Sequence, residues 1–301
     1  MPSNIIEHHD PYAPMRHRDY RLLLTGRFIS TFANEMLTFA ISWELWLRTH
    51  SAFALGVVGL VQVVPVILLS LPGGHVADQY NRRRIVIVAE LAIVLCVIGL
   101  AWLSFTKGSL VLIYACLLGI GIARAFNDPA SSTLVPETIP PELFSRAMTW
   151  SSGVWHFASI AGPALAGLLV GFFNAVTFIY VIDALAAITY CILISFIRGR
   201  QLALAEKSAT LESVREGLRF MRKTKVILAA ITLDMFAVMF GGAVALLPIY
   251  ATDILKVGPQ GLGIMRAAPS VGALLMAVVL AYLPPMKNAG RTLFLSVVAS
   301  A

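Results

Sequence analysis

Charge is scarce in this chain: Asp, Glu, Lys and Arg make up 13% of its 301 residues, and 58% are hydrophobic. An ordinary soluble domain carries roughly 25% charged residues. A soluble protein with a rich core is excluded because the apolar runs are too long and the polar residues gather in the gaps between them. No cleavable leader is legible either, since MPSNIIEHHDPYAPMRHRDY is polar and the first long apolar run starts after it. The composition is that of an integral membrane protein.

Cysteine is equally sparse. Cys96, Cys116 and Cys191 all fall inside apolar runs and share no metal-ligand spacing, so they read as small buried hydrophobes, and neither a metal nor a cofactor is expected. The chain also lacks G-x-S-x-G, H-E-x-x-H and a phosphate-binding glycine loop followed by lysine. A membrane-embedded enzyme should show such a constellation, and none is expected here. Basic stretches interleaved with aromatics, the mark of nucleic-acid binding, are missing as well.

What is present is a series of apolar runs long enough to cross a bilayer, which takes roughly 20 residues. Helices are expected at about 22–48, 52–75, 84–105, 109–134, 143–172, 174–197, 226–251 and 258–283, with a ninth starting near 292. The final LFLSVVASA ends inside an apolar run, and the chain reads as cut within its ninth helix. Placing the N-terminus inside gathers Arg16, Arg18, Arg21, Arg82 to Arg84, Arg146 and the basic residues of 198–225 on the inner side. Arg48, Lys107 and Lys256 then lie outside. The net charge of +7 thereby follows from topology and the anionic inner leaflet.

One long polar stretch, 198–225, separates six spans from the rest. Leu211, Val214, Leu218 and Met221 recur there at helical spacing beside Arg215, Arg219 and Arg222, which predicts an amphipathic helix along the inner surface. The expected organisation is a six-helix bundle over 1–197, a cytoplasmic linker over 198–225 and a partial second bundle over 226–301.

The segment GGHVADQYNRRR, Gly73 to Arg84, forms the tight turn between the second and third spans. Gly73 and Gly74 are expected to let two helices approach closely. Asp78 stands a few residues before the third helix, where amides favour a carboxylate, and Arg82, Arg83 and Arg84 can anchor the turn and pair with it.

Gly74, Asp78, Asn81, Arg82 and Arg83 resemble the signature loop between helices two and three of the major facilitator superfamily, with Asn81 in the place of the usual glycine and Gln79 in the place of the usual arginine. The resemblance extends to SAFALGVVGLVQVVPVILLSLPGG, RAFNDPASSTLVPETIPPELFSRAM, AGPALAGLLVG and LLPIYATDILKVGPQGLGIMRAAPSVGALL. These look like the branch that holds the bacterial enterobactin exporter and multidrug exporters. It implies the all-α major facilitator fold, here a complete N-terminal six-helix bundle plus about three helices of the second. It further implies that Gly74, Asp78, Arg82 and Arg83 act as a conformational latch between bundles. Gly162, Pro163 and Gly167 resemble the fifth-helix antiporter motif, beside the plain reading of a kink for packing.

Charged residues inside spans cost about +2.5 to +3.5 kcal/mol each on insertion scales and mark function or pair with one another. Arg124 and Asp128, four apart on one helix, are expected to neutralise each other. Glu35 lies at mid-depth of the first span with no cation near it in sequence, so it is the first candidate to carry a coupled proton. Asp234, at matching depth in the seventh span, is the second. Either acid could instead be paired structurally.

By the resemblance, the first, fourth and seventh spans line a central cavity, to which they bring Asn34, Thr38, Asn127, Asp128 and Phe236. Trp150, Trp155 and His156 of the fifth span can join them. Trp43 and Trp46 read as interfacial anchors. The implied function is secondary transport by alternating access, a proton-coupled export of a siderophore or drug-like amphipathic molecule from a multi-pass monomer in the bacterial inner membrane with its N-terminus in the cytoplasm. Two alternatives stay open: an importer of the same superfamily, and a truncated fragment unable to transport.

Overall fold

The computed structural model describes residues 10, 12–198, 219, 228, 232 and 241–282. Within them the chain is helical: α1 Arg18–Thr49, α2 Ala52–Gln79, α3 Arg82–Phe105, α4 Leu110–Ser132, the short α5 Leu134–Thr138, α6 Phe144–Phe173, α7 Thr177–Ser195 and α8 Gly258–Tyr282. Ahead of α8 a mixed run of 3-10, α and π turns covers 241–254. Five of the described helices, α2, α3, α4, α6 (with the 3-10 turn before it) and α7, are long and apolar enough to cross a membrane by length and composition alone. Asn34, Glu35 and Glu44 dilute the hydropathy of α1.

Local chemistry sets the helix ends. Ser51 opens α2 by accepting from the Ala54 amide, and Ser109 opens α4 by accepting from the Val111 amide. His50 and Asn174 close α1 and α6 in the left-handed conformation, at φ 44° and 52°. The Asn174 cap explains why α7 begins at Thr177, later than expected from hydropathy. α4 ends at Ser132, two residues short of the expected 134, and the short α5, which contains Pro136, follows it.

Packing follows the small residues. α4 lies between α2 and α3, α3 packs on α7, and α1 packs on α6 and α7. Backbone approach joins α2 to α4: a Cβ on Gly121 would come within 2.7 Å of the Gln62 carbonyl oxygen, and one on Gly73 would collide with the Ala125 carbonyl. Gly74, by contrast, faces open space, so only Gly73 of the expected pair makes a close approach. α6 packs on α1 through Gly162 and on α8 through Gly167, which faces Gly263 and the Pro259 carbonyl. One buried cluster centred on Met36, Phe39, Leu117 and Tyr180 fills one half of the bundle, and another around Tyr20, Val86, Ala130 and Ile194 fills the half nearer the Arg82 turn.

Apart from Arg219 the linker helix lies outside the described residues, as do Asp234, Phe236 and the ninth span.

Candidate functional site

Three polar layers interrupt the apolar bundle. The central one starts on α1, where Asn34, Thr38 and Ser42 recur every fourth residue and so share one face. Their hydroxyls bond back along the helix, Thr38 to the Asn34 carbonyl at 2.9 Å and Ser42 to the Thr38 carbonyl at 2.9 Å. Arg124 of α4 donates to the Asn34 side-chain oxygen and reaches Gln62 of α2 at 3.5 Å. Arg266 of α8 donates to the Ser42 hydroxyl at 2.9 Å. Glu35 stands in the fields of both guanidiniums, that of Arg266 being the stronger. It closes an ion pair or hydrogen bond with neither. α6 presses against α1 at this level: a Cβ on Gly162 would sit 2.7 Å from the Cβ of Glu35.

Arg124 and Asp128 make no contact ion pair, although the Arg124 charge acts on Asp128. Arg124 turns toward Asn34 and Gln62, because those neutral acceptors lie across the interfaces with α1 and α2 while Asp128 lies a turn farther along its own helix. Asp128 instead lines a polar chamber of about 350 Å³, with Arg27, Glu90, Asn127, Ser151 and Trp155 among its walls. Here the Asn127 amide donates to Glu90 at 2.9 Å, and both residues are buried. Asp183 of α7 is buried close enough for its charge to act on Glu90. Arg27 donates to the Ser131 carbonyl at 3.0 Å and so holds α1 to the C-terminal end of α4. The Asn127 side-chain oxygen is buried without a partner among the described residues.

Trp155 packs edge-on against His156 with ring centroids 5.1 Å apart, and Trp155 is half exposed. Trp150 sits elsewhere, at the level of the N-terminal segment, 5.6 Å from the ring of Tyr12. Trp43 and Trp46 are buried at 6% and 4% exposure, so they pack inside protein and do not anchor at a lipid interface.

The third layer lies near the His50 end of α1. Glu44 pairs with Arg48 at 2.5 Å and accepts from the Tyr180 hydroxyl at 2.5 Å. Arg48 also donates to the carbonyls of Gly108 and Leu103, at 3.0 and 3.1 Å. α1 is thereby tied to α7 and to the α3–α4 turn. Beside it, the Trp46 indole donates to Thr252 at 2.7 Å, ahead of α8.

At the opposite end, the Gly73–Arg84 turn differs from its expected wiring. Asp78 belongs to the last turn of α2, and Asn81 caps α3 by accepting from the Arg84 amide. Arg82 pairs with Glu137 at 2.8 Å, not with Asp78. Arg83 donates to the carbonyls of Ser195 and of Ile197, the latter at 2.7 Å, and so satisfies the open C-terminus of α7.

Sequence reasoning overlooked Glu90 and Gln62. The signal for Glu90 was available: it is the lone charged residue between Arg84 and Lys107. Nothing in sequence marked Gln62 except its polarity inside an apolar run.

The profile of the family described as transmembrane secretion effector matches residues 9–301. Macrolide efflux protein A of Streptococcus pyogenes is 26% identical over 262 residues, covering 85% of this chain and 64% of the relative. Multidrug efflux pump Tap of Mycobacterium tuberculosis is 27% identical over 285 residues, covering 87% of this chain and 66% of Tap. The staphyloferrin A transporter of Staphylococcus aureus is 26% identical over 161 residues, 52% of this chain and 40% of the transporter. The chain thus spans less than two thirds of the length of these relatives. Among solved structures, the D-xylose-proton symporter superposes with a TM-score of 0.61 at 13% identity, over 88% of this chain and 68% of the symporter. That likeness shows the fold.

Proposed function

Because the chain belongs to the transmembrane secretion effector family, an exporter branch of the major facilitator superfamily, we propose that it forms the greater part of a proton-coupled exporter of amphipathic small molecules. The observation that carries this reading is the position of Glu35 on α1, between Asn34, which Arg124 of α4 reaches, and Ser42, which Arg266 of α8 reaches. An ionised Glu35 attracts a cation from beyond the first six spans. Once protonated it no longer does, and α8 is held to α1 only by the weaker hydrogen bond from Arg266 to Ser42, so that it moves more readily. Proton arrival is in this way converted into relative motion of two bundles, the requirement of alternating access.

Residues 1–197 serve as the first bundle, 198–225 as the linker and 226–301 as part of the second. The protein works as a monomer in the inner membrane with its N-terminus in the cytoplasm, an orientation supported by the concentration of arginines at the Arg82 end. The cargo is a siderophore or a drug-like molecule. Relatives named for macrolide, multidrug and staphyloferrin A transport support that class. The half-exposed Trp155 and the acids near it suit a solute with an aromatic or cationic part.

Transport by the full-length protein in inside-out vesicles tests the proposal. Glu35→Gln should insert normally and lose uptake driven by an imposed proton gradient. Gradient-driven uptake equal to that of the parent removes Glu35 from the coupling step.

A further inference from the structure

The arginines of the Gly73–Arg84 turn divide their labour unequally. Arg82 is spent on Glu137, and Arg83 on the carbonyls that end α7. The guanidinium of Arg84 has neither an ion pair nor a hydrogen bond among the described residues, and the side chain is exposed. It stands instead at the mouth of a groove of about 570 Å³, bounded by the end of α2, by α3 and by α4.

The groove lies on faces of α3 and α4 other than those that carry Glu90 and Arg124. Its α3 wall is Ile85, Val88, Ala92 and Cys96, residues of one helical stripe, while Glu90 points off another face to Asn127. Its α4 wall is Gly119, Ile122 and Phe126, whereas Arg124 leaves the opposite side of that helix for Asn34 and Gln62. Val88 is 67% exposed and Ile122 41% exposed, so no described residue covers the apolar walls fully. Polar groups collect at the mouth, in Tyr80, Asn81 and Arg84, and no acid among the described residues lines the groove. From Arg84 to Cys96 the stripe runs about 18 Å at 1.5 Å per residue. Half of a hydrocarbon core roughly 30 Å thick is about 15 Å. The groove is therefore as deep as one leaflet, with a single uncommitted cation at the headgroup level.

We propose that this groove is a binding site for an anionic phospholipid of the leaflet on the Arg82 side, its acyl chain lying along α3 and α4 and its phosphate held by Arg84. A guanidinium matches phosphate oxygens with two parallel hydrogen bonds and keeps its charge at any pH the membrane meets. A zwitterionic lipid offers the same phosphate but brings a cation with it, which opposes Arg84. The site places an anionic lipid against the turn joining α2 and α3, so lipid composition bears on how firmly that turn is held.

The proposal needs only a membrane-spanning bundle and is independent of Glu35, so its outcome and that of the coupling test can be told apart. The full-length protein is reconstituted with Val88→Trp as a reporter inside the groove. Quenching of the added fluorescence is compared between brominated phosphatidylglycerol and brominated phosphatidylcholine of the same chain length. We expect phosphatidylglycerol to be preferred about fivefold, which corresponds to about 1 kcal/mol for one arginine near the surface. Arg84→Gln should abolish that preference, and Arg84→Lys should restore part of it. A reporter at Val111, an exposed residue of α4 at the other surface, should show no preference. Equal quenching by both lipids at residue 88, or a preference that survives Arg84→Gln, overturns the proposal.

Discussion

Arg266 of α8 donates to the hydroxyl of Ser42 on α1 across 2.9 Å, and this bond ties the first bundle to a helix beyond the linker. Ser42 lies two turns along α1 from Glu35, so the same guanidinium touches a neutral acceptor and feels a carboxylate. The two interactions differ in kind. The hydrogen bond survives any change of charge on Glu35, whereas the attraction to the carboxylate does not. Ser42→Ala removes the first alone and should lower gradient-driven transport less than tenfold, against the complete loss expected for Glu35→Gln; parallel vesicle assays of the two variants check the order.

Arg124 gives a second prediction. Its removal leaves the Asn34 side-chain oxygen without its donor and costs about 1–3 kcal/mol. Arg124→Leu should lower the unfolding temperature in detergent and abolish transport, while Asp128→Asn, which touches no hydrogen bond of Arg124, should leave the unfolding temperature within error. Equal destabilisation by both would restore the Arg124–Asp128 pairing expected from their spacing.

Glu90 and Asn127 predict a contrast between two substitutions at one position. Gln retains an acceptor for the Asn127 amide, whereas Leu leaves that amide buried and unpaired, at a cost of about 1–3 kcal/mol. Thermal unfolding should place Glu90→Gln near the parent and Glu90→Leu well below it.

The Glu44–Arg48–Tyr180 group predicts a stability effect without a transport phenotype. Glu44 and Arg48 have side-chain exposures of 8% and 19%. Breaking a buried pair by deleting one partner costs about 3–5 kcal/mol. Arg48→Ala should therefore be strongly destabilising, and Tyr180→Phe, which removes one hydrogen bond to a carboxylate, should cost about 1.5–3 kcal/mol. Where protein survives, its KM for cargo should equal that of the parent.

The helices were legible because apolar runs of bilayer length are punctuated by serine, asparagine and glycine, and α2, α3, α6 and α8 start or end within a few residues of where hydropathy places them. Partners across interfaces were not. Sequence spacing favours local pairs such as Arg124 with Asp128, yet the guanidinium bonds across helices to Asn34 and Gln62, residues 90 and 62 positions away. The same bias offers Asp78 as a partner for the Arg82 to Arg84 run, yet Arg82 pairs with Glu137, 55 positions distant. Glu35 was found because its isolation in a mid-depth position is itself a sequence property. That Arg266 lies near it is a property of how α8 packs on α6 through Gly167 and Gly263.

The most direct test of coupling is the distance between the bundles at the Trp46–Thr252 end, read by pulsed electron resonance between nitroxides at Leu47 and Ile254, both exposed. In the full-length protein, lowering the pH should neutralise Glu35, leave Arg266 held by the Ser42 hydroxyl alone and shift the distribution toward longer distances. Glu35→Gln should show the long-distance population at every pH. A pH response in Glu35→Gln equal to that of the parent would contradict the account.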